Sequence, residues 1–114
     1  MSAVMQSSNE PLLLRSDDQG VATLTLNRAS QFNSLSDGLI DALQAALDAI
    51  ATDKSVRVVV LAGAGKAFCA GHDLKEMRSH PDKAYQQALF RKCGRMMKKL
   101  VELPQPVIAR VHGM

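Results

Sequence analysis

With 114 residues, 46% of them hydrophobic and 22% charged, the chain holds material for one domain with its own core and excludes a second complete one. A net charge of +3 suits an anionic small molecule but falls short of the block-basic, aromatic-interleaved surface of a nucleic-acid binder, so no nucleic-acid partner is expected. No apolar run approaches membrane-spanning length, and two cysteines without a CxxC pair argue against a disulfide framework and for a reducing compartment, the cytoplasm.

In chain order, Met1 to Glu10 lacks a basic start and an apolar run and reads as a disordered leader, residues 1–10. Leu12 to Arg15, the polar break Ser16 to Gly20, and the alternating Val21 to Leu26 predict two strands joined by a hairpin-like turn. Ser36 is a helix cap: Leu39, Ile40, Leu43, Ala46, Leu47 and Ile50 recur on one helical face, and the helix is expected to run to Thr52. Val56 to Ala62 carries a β-branched run expected to be buried on both faces, as in a parallel sheet. Ser79 to Asp82 breaks the chain. A second amphipathic helix follows through Tyr85, Leu89, Cys93, Met96 or Met97, Leu100 and Leu103, and Pro104 and Pro106 end it. Val107 to Val111 is a last short strand.

The chemistry concentrates in KAFCAGHDLKEM, Lys66 to Met77. Gly63-Ala64-Gly65-Lys66 has the wrong spacing for a P-loop or a dinucleotide fingerprint and reads as a glycine-rich turn. Cys69 and His72 lie three apart without a second ligand pair, so no metal is expected. As a nucleophile–base pair they lack an orienting group, and Cys69 between Phe68 and Ala70 reads as a small buried residue. What remains is backbone: Ala70-Gly71-His72-Asp73 ahead of the helix-like Leu74 to Arg78 sets unpaired N–H groups at a helix start, among side chains small enough for close approach. Glu76 and the basic run Arg91, Lys92, Arg95, Lys98 and Lys99 read as solvated helix faces.

Three segments, LNRASQFNSL, VRVVVLAGAGKAFCAGHDLKEM and LPQPVIARVHG, together resemble the crotonase superfamily of enoyl-CoA hydratases and isomerases, in the family's order and over Leu26 to Gly113. The resemblance implies an α/β fold, a crotonase-like spiral of ββα units that reads as truncated, with residues 11–114 as its N-terminal part. It further implies that the His72 N–H is one of two oxyanion donors to an acyl-CoA thioester carbonyl. Ala70, Gly71, Asp73 and Leu74 inherit contacts to coenzyme A, Lys75 a contact to its phosphates, and Arg28 either a CoA contact or the role of a solvated arginine closing a strand. Coenzyme A enters as part of the substrate, with no separate cofactor, and the resemblance implies a homotrimer or a dimer of trimers. The second donor and the glutamates for proton transfer belong to later segments in such proteins, so the 114 residues alone are expected to be inactive. Ala29 stands where the family usually has proline, and His72 where many hydratases have alanine. The alternative reading is a non-catalytic, crotonase-like CoA-binding or scaffold protein.

Overall fold

The computed structural model describes residues 10–113, so the expected leader lies outside the described residues except for Glu10. Four strands form one sheet in the order β1 (Leu13–Asp18), β2 (Val21–Leu26), β3 (Val58–Gly63), β4 (Val107–Ala109). β1 pairs antiparallel with β2, and β2, β3 and β4 are mutually parallel neighbours. Parallel pairing requires crossovers. The first is α1 (Asp37–Ala51), and the second contains α2 (Leu74–Ser79) and α3 (Lys83–Glu102).

β1 is longer than its composition suggests. Ser16, Asp17 and Asp18, expected as a break, continue the strand and pair with Thr23, Ala22 and Val21. Five of its six residues are exposed at the sheet edge, so polar side chains are not desolvated there, and Arg15 grips Asp17 two residues on at 2.8 Å. The turn itself is only Gln19-Gly20, both at positive φ (51° and 83°), the backbone twist a two-residue hairpin needs.

Ser36 caps α1 as expected, its side chain accepting from the Leu39 N–H at 3.1 Å. Leu39, Ile40, Leu43, Leu47 and Ile50 are buried, each contributing roughly 1.5–3 kcal/mol of gross burial. They meet Ala22, Leu24, Leu26 and Val59 of the sheet and Leu89, Cys93 and Met96 of α3. Of the two candidate methionines, Met96 is inside and Met97 is 45% exposed. Burial on both faces of β3 is not what the structure shows: Val59 is fully buried while Val58 and Val60 are half-buried, because the buried faces of α1 and α3 join a single core on one side of the sheet. That strand also starts later than expected, at Val58, and β4 ends earlier, at Ala109.

The basic run on α3 is more than a solvated face. Lys92 binds Asp37 and, at 3.0 Å, Asp41 of α1, while Lys99 reaches Asp48 at 3.6 Å. The hydrogen bond to Asp37, followed by that to Asp41, raises the Lys92 ammonium above its ordinary range. These pairs fix the rotation of α3 on α1. The loops leaving the C-terminal ends of β2 and β3 lie at one end of the parallel strands.

Candidate functional site

Those two loops meet through Asn33, a residue the sequence analysis did not single out. After a 3-10 turn (Ala29–Gln31), Phe32 and Asn33 both take left-handed backbone (φ 52° and 55°). The Asn33 side chain is fully buried: its Oδ1 accepts from the Arg28 N–H at 2.7 Å, and its Nδ2 donates to the carbonyls of Ala64 (2.8 Å) and Ala67 (2.9 Å). One amide thus joins the loop after β2 to the loop after β3. The available signal was that asparagine tolerates left-handed backbone, here midway between a strand end and a helix cap.

Beyond this join, Leu35 and His72 form an isolated parallel bridge. The Leu35 N–H donates to the Gly71 carbonyl at 2.7 Å and the Asp73 N–H to the Leu35 carbonyl at 3.0 Å. In such a bridge the residue between the two contacts turns its own N–H to the opposite side. The His72 N–H accordingly has no partner among the described residues. Gly71, at φ +91°, makes the turn that exposes it, and a Cβ there would meet nothing within 4 Å. The sequence reading credited a helix start. α2 has only six residues, and Asp73 occupies the N–H groups of Lys75 and Glu76, so the sheet-like bridge is what aims the His72 N–H.

Asp73 and Arg28 form the rigid side of the turn. Arg28 binds Asp73 at 3.1 Å and the Ser34 carbonyl at 2.7 Å, with its side chain only 16% exposed. It is therefore not a solvated arginine closing a strand. Burial pushes the Asp73 carboxyl up, but the Glu76 N–H, the Arg28 guanidinium and the Lys75 N–H together outweigh it and hold the carboxyl below the ordinary 3.8. A depressed carboxylate stabilises the fold fully above its unfolded value, and that contribution is lost as pH falls through the folded value. Asp73→Asn is expected to lower stability at neutral pH and to flatten the fall in the urea midpoint below about pH 4. An unchanged acid limb in the variant would show that other groups set it.

Glu76 is not a plain solvated face: its Oε1 accepts from the Asp37 N–H at 2.7 Å, capping α1 from a distance. Cys69 packs partly buried against the core, away from any pairing with His72, whose ring stands edge-on to Phe90 of α3 at 5.3 Å. Cys93 lies in the core, and burial pushes its thiol up, away from thiolate chemistry.

Around the turn, Ala70, Gly71, Leu74 and Lys75 are exposed, Leu74 at 64%. A polar groove of about 460 Å³ runs past Arg28, Gln31, Asp73, Lys75 and His80. Within it Arg28, Asp73 and Glu76 are already engaged, which leaves Lys75 as its uncommitted cation among the described residues. Toward α3 the loop borders an apolar cavity of about 130 Å³ lined by residues including Leu35, Phe68, Cys69, Met96 and Met97. A larger cleft, about 520 Å³, lies at the opposite end of α1 beside Lys54, Arg57 and Pro104, remote from the free His72 N–H. The turn therefore separates a polar side from an apolar one.

The family model for enoyl-CoA hydratase/isomerase matches residues 16–114. The chain belongs to that family. Among solved structures similar to this chain, an enoyl-CoA hydratase of Mycobacterium smegmatis is 57% identical with a TM-score of 0.89, over 91% of this chain and 41% of that one. An enoyl-CoA hydratase from Bacillus anthracis is 38% identical with a TM-score of 0.85, over 90% and 40%. Relatives by sequence include the mitochondrial enoyl-CoA hydratase domain-containing protein 3 of Xenopus laevis and the 1,2-epoxyphenylacetyl-CoA isomerase of Escherichia coli, each 35% identical over 91% and 84% of this chain. The chain spans 35% and 38% of the lengths of those two relatives. The expected crotonase-type α/β fold is thus the observed one. Relatives named from a mitochondrion and from bacteria leave the compartment open within the family, and among the described residues no helix is long and apolar enough to cross a membrane.

Proposed function

We propose that this chain binds acyl-CoA thioesters at the turn Ala70 to Lys75, with the His72 N–H as an oxyanion donor to the thioester carbonyl. The observation that carries the reading is the free, bridge-oriented His72 N–H beside Gly71. A donor fixed before the ligand arrives costs no reorganisation when negative charge develops on the carbonyl oxygen, which is how such groups favour an enolate. On the polar side, Lys75 contacts CoA phosphates and the backbone of Ala70, Gly71 and Leu74 lies along the adenine and pantetheine portion, while Arg28 and Asp73 hold the turn rigid beneath it. Relatives are named for hydratase and isomerase chemistry, and both need a mobile proton as well as a polarised carbonyl. The two carboxylates that follow His72 in the chain, on Asp73 and Glu76, are engaged with Arg28 and with backbone N–H groups. The 114 residues are therefore proposed to bind a thioester and polarise its carbonyl. Assembly as a trimer or a dimer of trimers, a cytoplasmic site of action and a role in acyl-CoA metabolism belong to the same proposal.

Gly71→Val is the test. Valine at φ +91° strains the backbone and sets a branched side chain in the open space next to the His72 N–H. The variant is expected to keep its circular dichroism spectrum and to lose CoA affinity by a factor of ~30 or more, read by titration calorimetry. A folded variant with unchanged affinity would remove the turn from the binding site.

A further inference from the structure

The imidazole of His72 plays no part in the proposal above, yet its surroundings are specific. Its Nδ1 is buried without a hydrogen-bond partner, while Nε2 is neither buried nor bonded within the described residues. A buried N–H without a partner is rarer and costlier than a buried lone pair. The proton of the neutral ring therefore sits on Nε2, and the accessible edge of the ring is a hydrogen-bond donor. Edge-on contact with Phe90, at 5.3 Å and 89°, keeps the ring against α3. Arg28, Lys75 and the polar groove lie instead with α2 and the loop after β2, and His72 does not line that groove. A carbonyl oxygen held by the His72 N–H is within one side chain's reach of Nε2. In the pose proposed above, with the nucleotide on the side of Lys75, the ligand atoms nearest this ring belong to the acyl group.

Resting on the acyl-CoA reading, we infer that His72 is a specificity-determining residue whose Nε2–H selects acyl groups carrying an oxygen acceptor close to the thioester, such as a hydroxyl or carboxylate, over plain alkyl chains. An alkyl acyl group would cover this donor without satisfying it. An oxygen-bearing one takes the proton in a hydrogen bond, and the difference is selectivity.

The experiment compares the affinities of CoA, butyryl-CoA, 3-hydroxybutyryl-CoA and succinyl-CoA for the chain, His72→Phe and His72→Gln by titration calorimetry. Phenylalanine keeps a ring against Phe90 and deletes the donor, and glutamine restores a donor without the ring. The expected result is about five-fold tighter binding of at least one oxygen-bearing thioester than of butyryl-CoA. That preference is expected to vanish in His72→Phe and to return in part in His72→Gln. Equal affinities in the parent chain, or a preference that survives in His72→Phe, overturns this inference and leaves the CoA reading intact. Failure of CoA and every thioester to bind overturns the CoA reading, and this inference with it.

Discussion

Asn33→Ala is expected to lower the unfolding free energy by roughly 3–5 kcal/mol, the largest loss at any single polar side chain in the fold. The substitution leaves the Arg28 N–H and the Ala64 and Ala67 carbonyls without their partner in a site with no solvent access. Each such orphan costs on the order of 1 kcal/mol or more, and alanine adds the strain of left-handed backbone at φ 55°. For a chain of this size the melting temperature should fall by about 10–20 °C, measured by circular dichroism. Asn33→Asp should be at least as damaging although it is isosteric, because a carboxylate would face two carbonyl oxygens where the amide donates to both. A loss below about 1 kcal/mol in Asn33→Ala would mean that water replaces the amide and that the loops are joined by other contacts.

The same residue shows what was legible in the sequence. Periodicity found α1 and α3 because burial of one helical stripe is a local pattern, and Ser36 fixed the start of α1 because capping acts within four residues. The end of β1 was missed because edge exposure is a property of the sheet: nothing in Ser16-Asp17-Asp18 reveals that both its faces meet solvent. Half-burial of Val58 and Val60 was missed for the same reason, since a β-branched run does not say on which side the helices will pack. The residues of the turn were legible as a motif. Their orientation was not, because it comes from Leu35, thirty-odd positions upstream, and from a bridge no spacing rule reports. Glu76 looked like a free surface charge and Arg28 was read as either a CoA contact or a solvated arginine; each satisfies backbone or carboxylate groups from another segment, which no local pattern reports.

Gly63→Ala is the second substitution expected to have a large effect, and it attacks the loop join from the opposite side. Gly63 closes β3, and a Cβ on it would stand 2.4 Å from the Phe68 carbonyl oxygen, 2.9 Å from the Phe68 Cα and 3.0 Å from the Asn33 amide nitrogen. Two of those three atoms are backbone, so relief requires the Ala64 to Phe68 segment to move and cannot come from a rotamer change. Overpacking of this kind costs about 1–3 kcal/mol, and the displaced segment carries the Ala64 and Ala67 carbonyls away from Asn33 as well. The upper end of that range is therefore expected, about 3 kcal/mol from urea denaturation. Because both substitutions break the same join, Asn33→Ala with Gly63→Ala should cost well under the sum of the two, a coupling of about 1–2 kcal/mol. CoA affinity should fall in Gly63→Ala even though no ligand atom approaches Gly63 in the proposed pose, since the moving segment leads directly into Ala70 and the His72 N–H. Additive costs, or a destabilised Gly63→Ala that binds CoA as the parent chain does, would separate the stability of the loop join from the geometry of the turn and leave the Leu35 bridge as the sole element aiming that N–H.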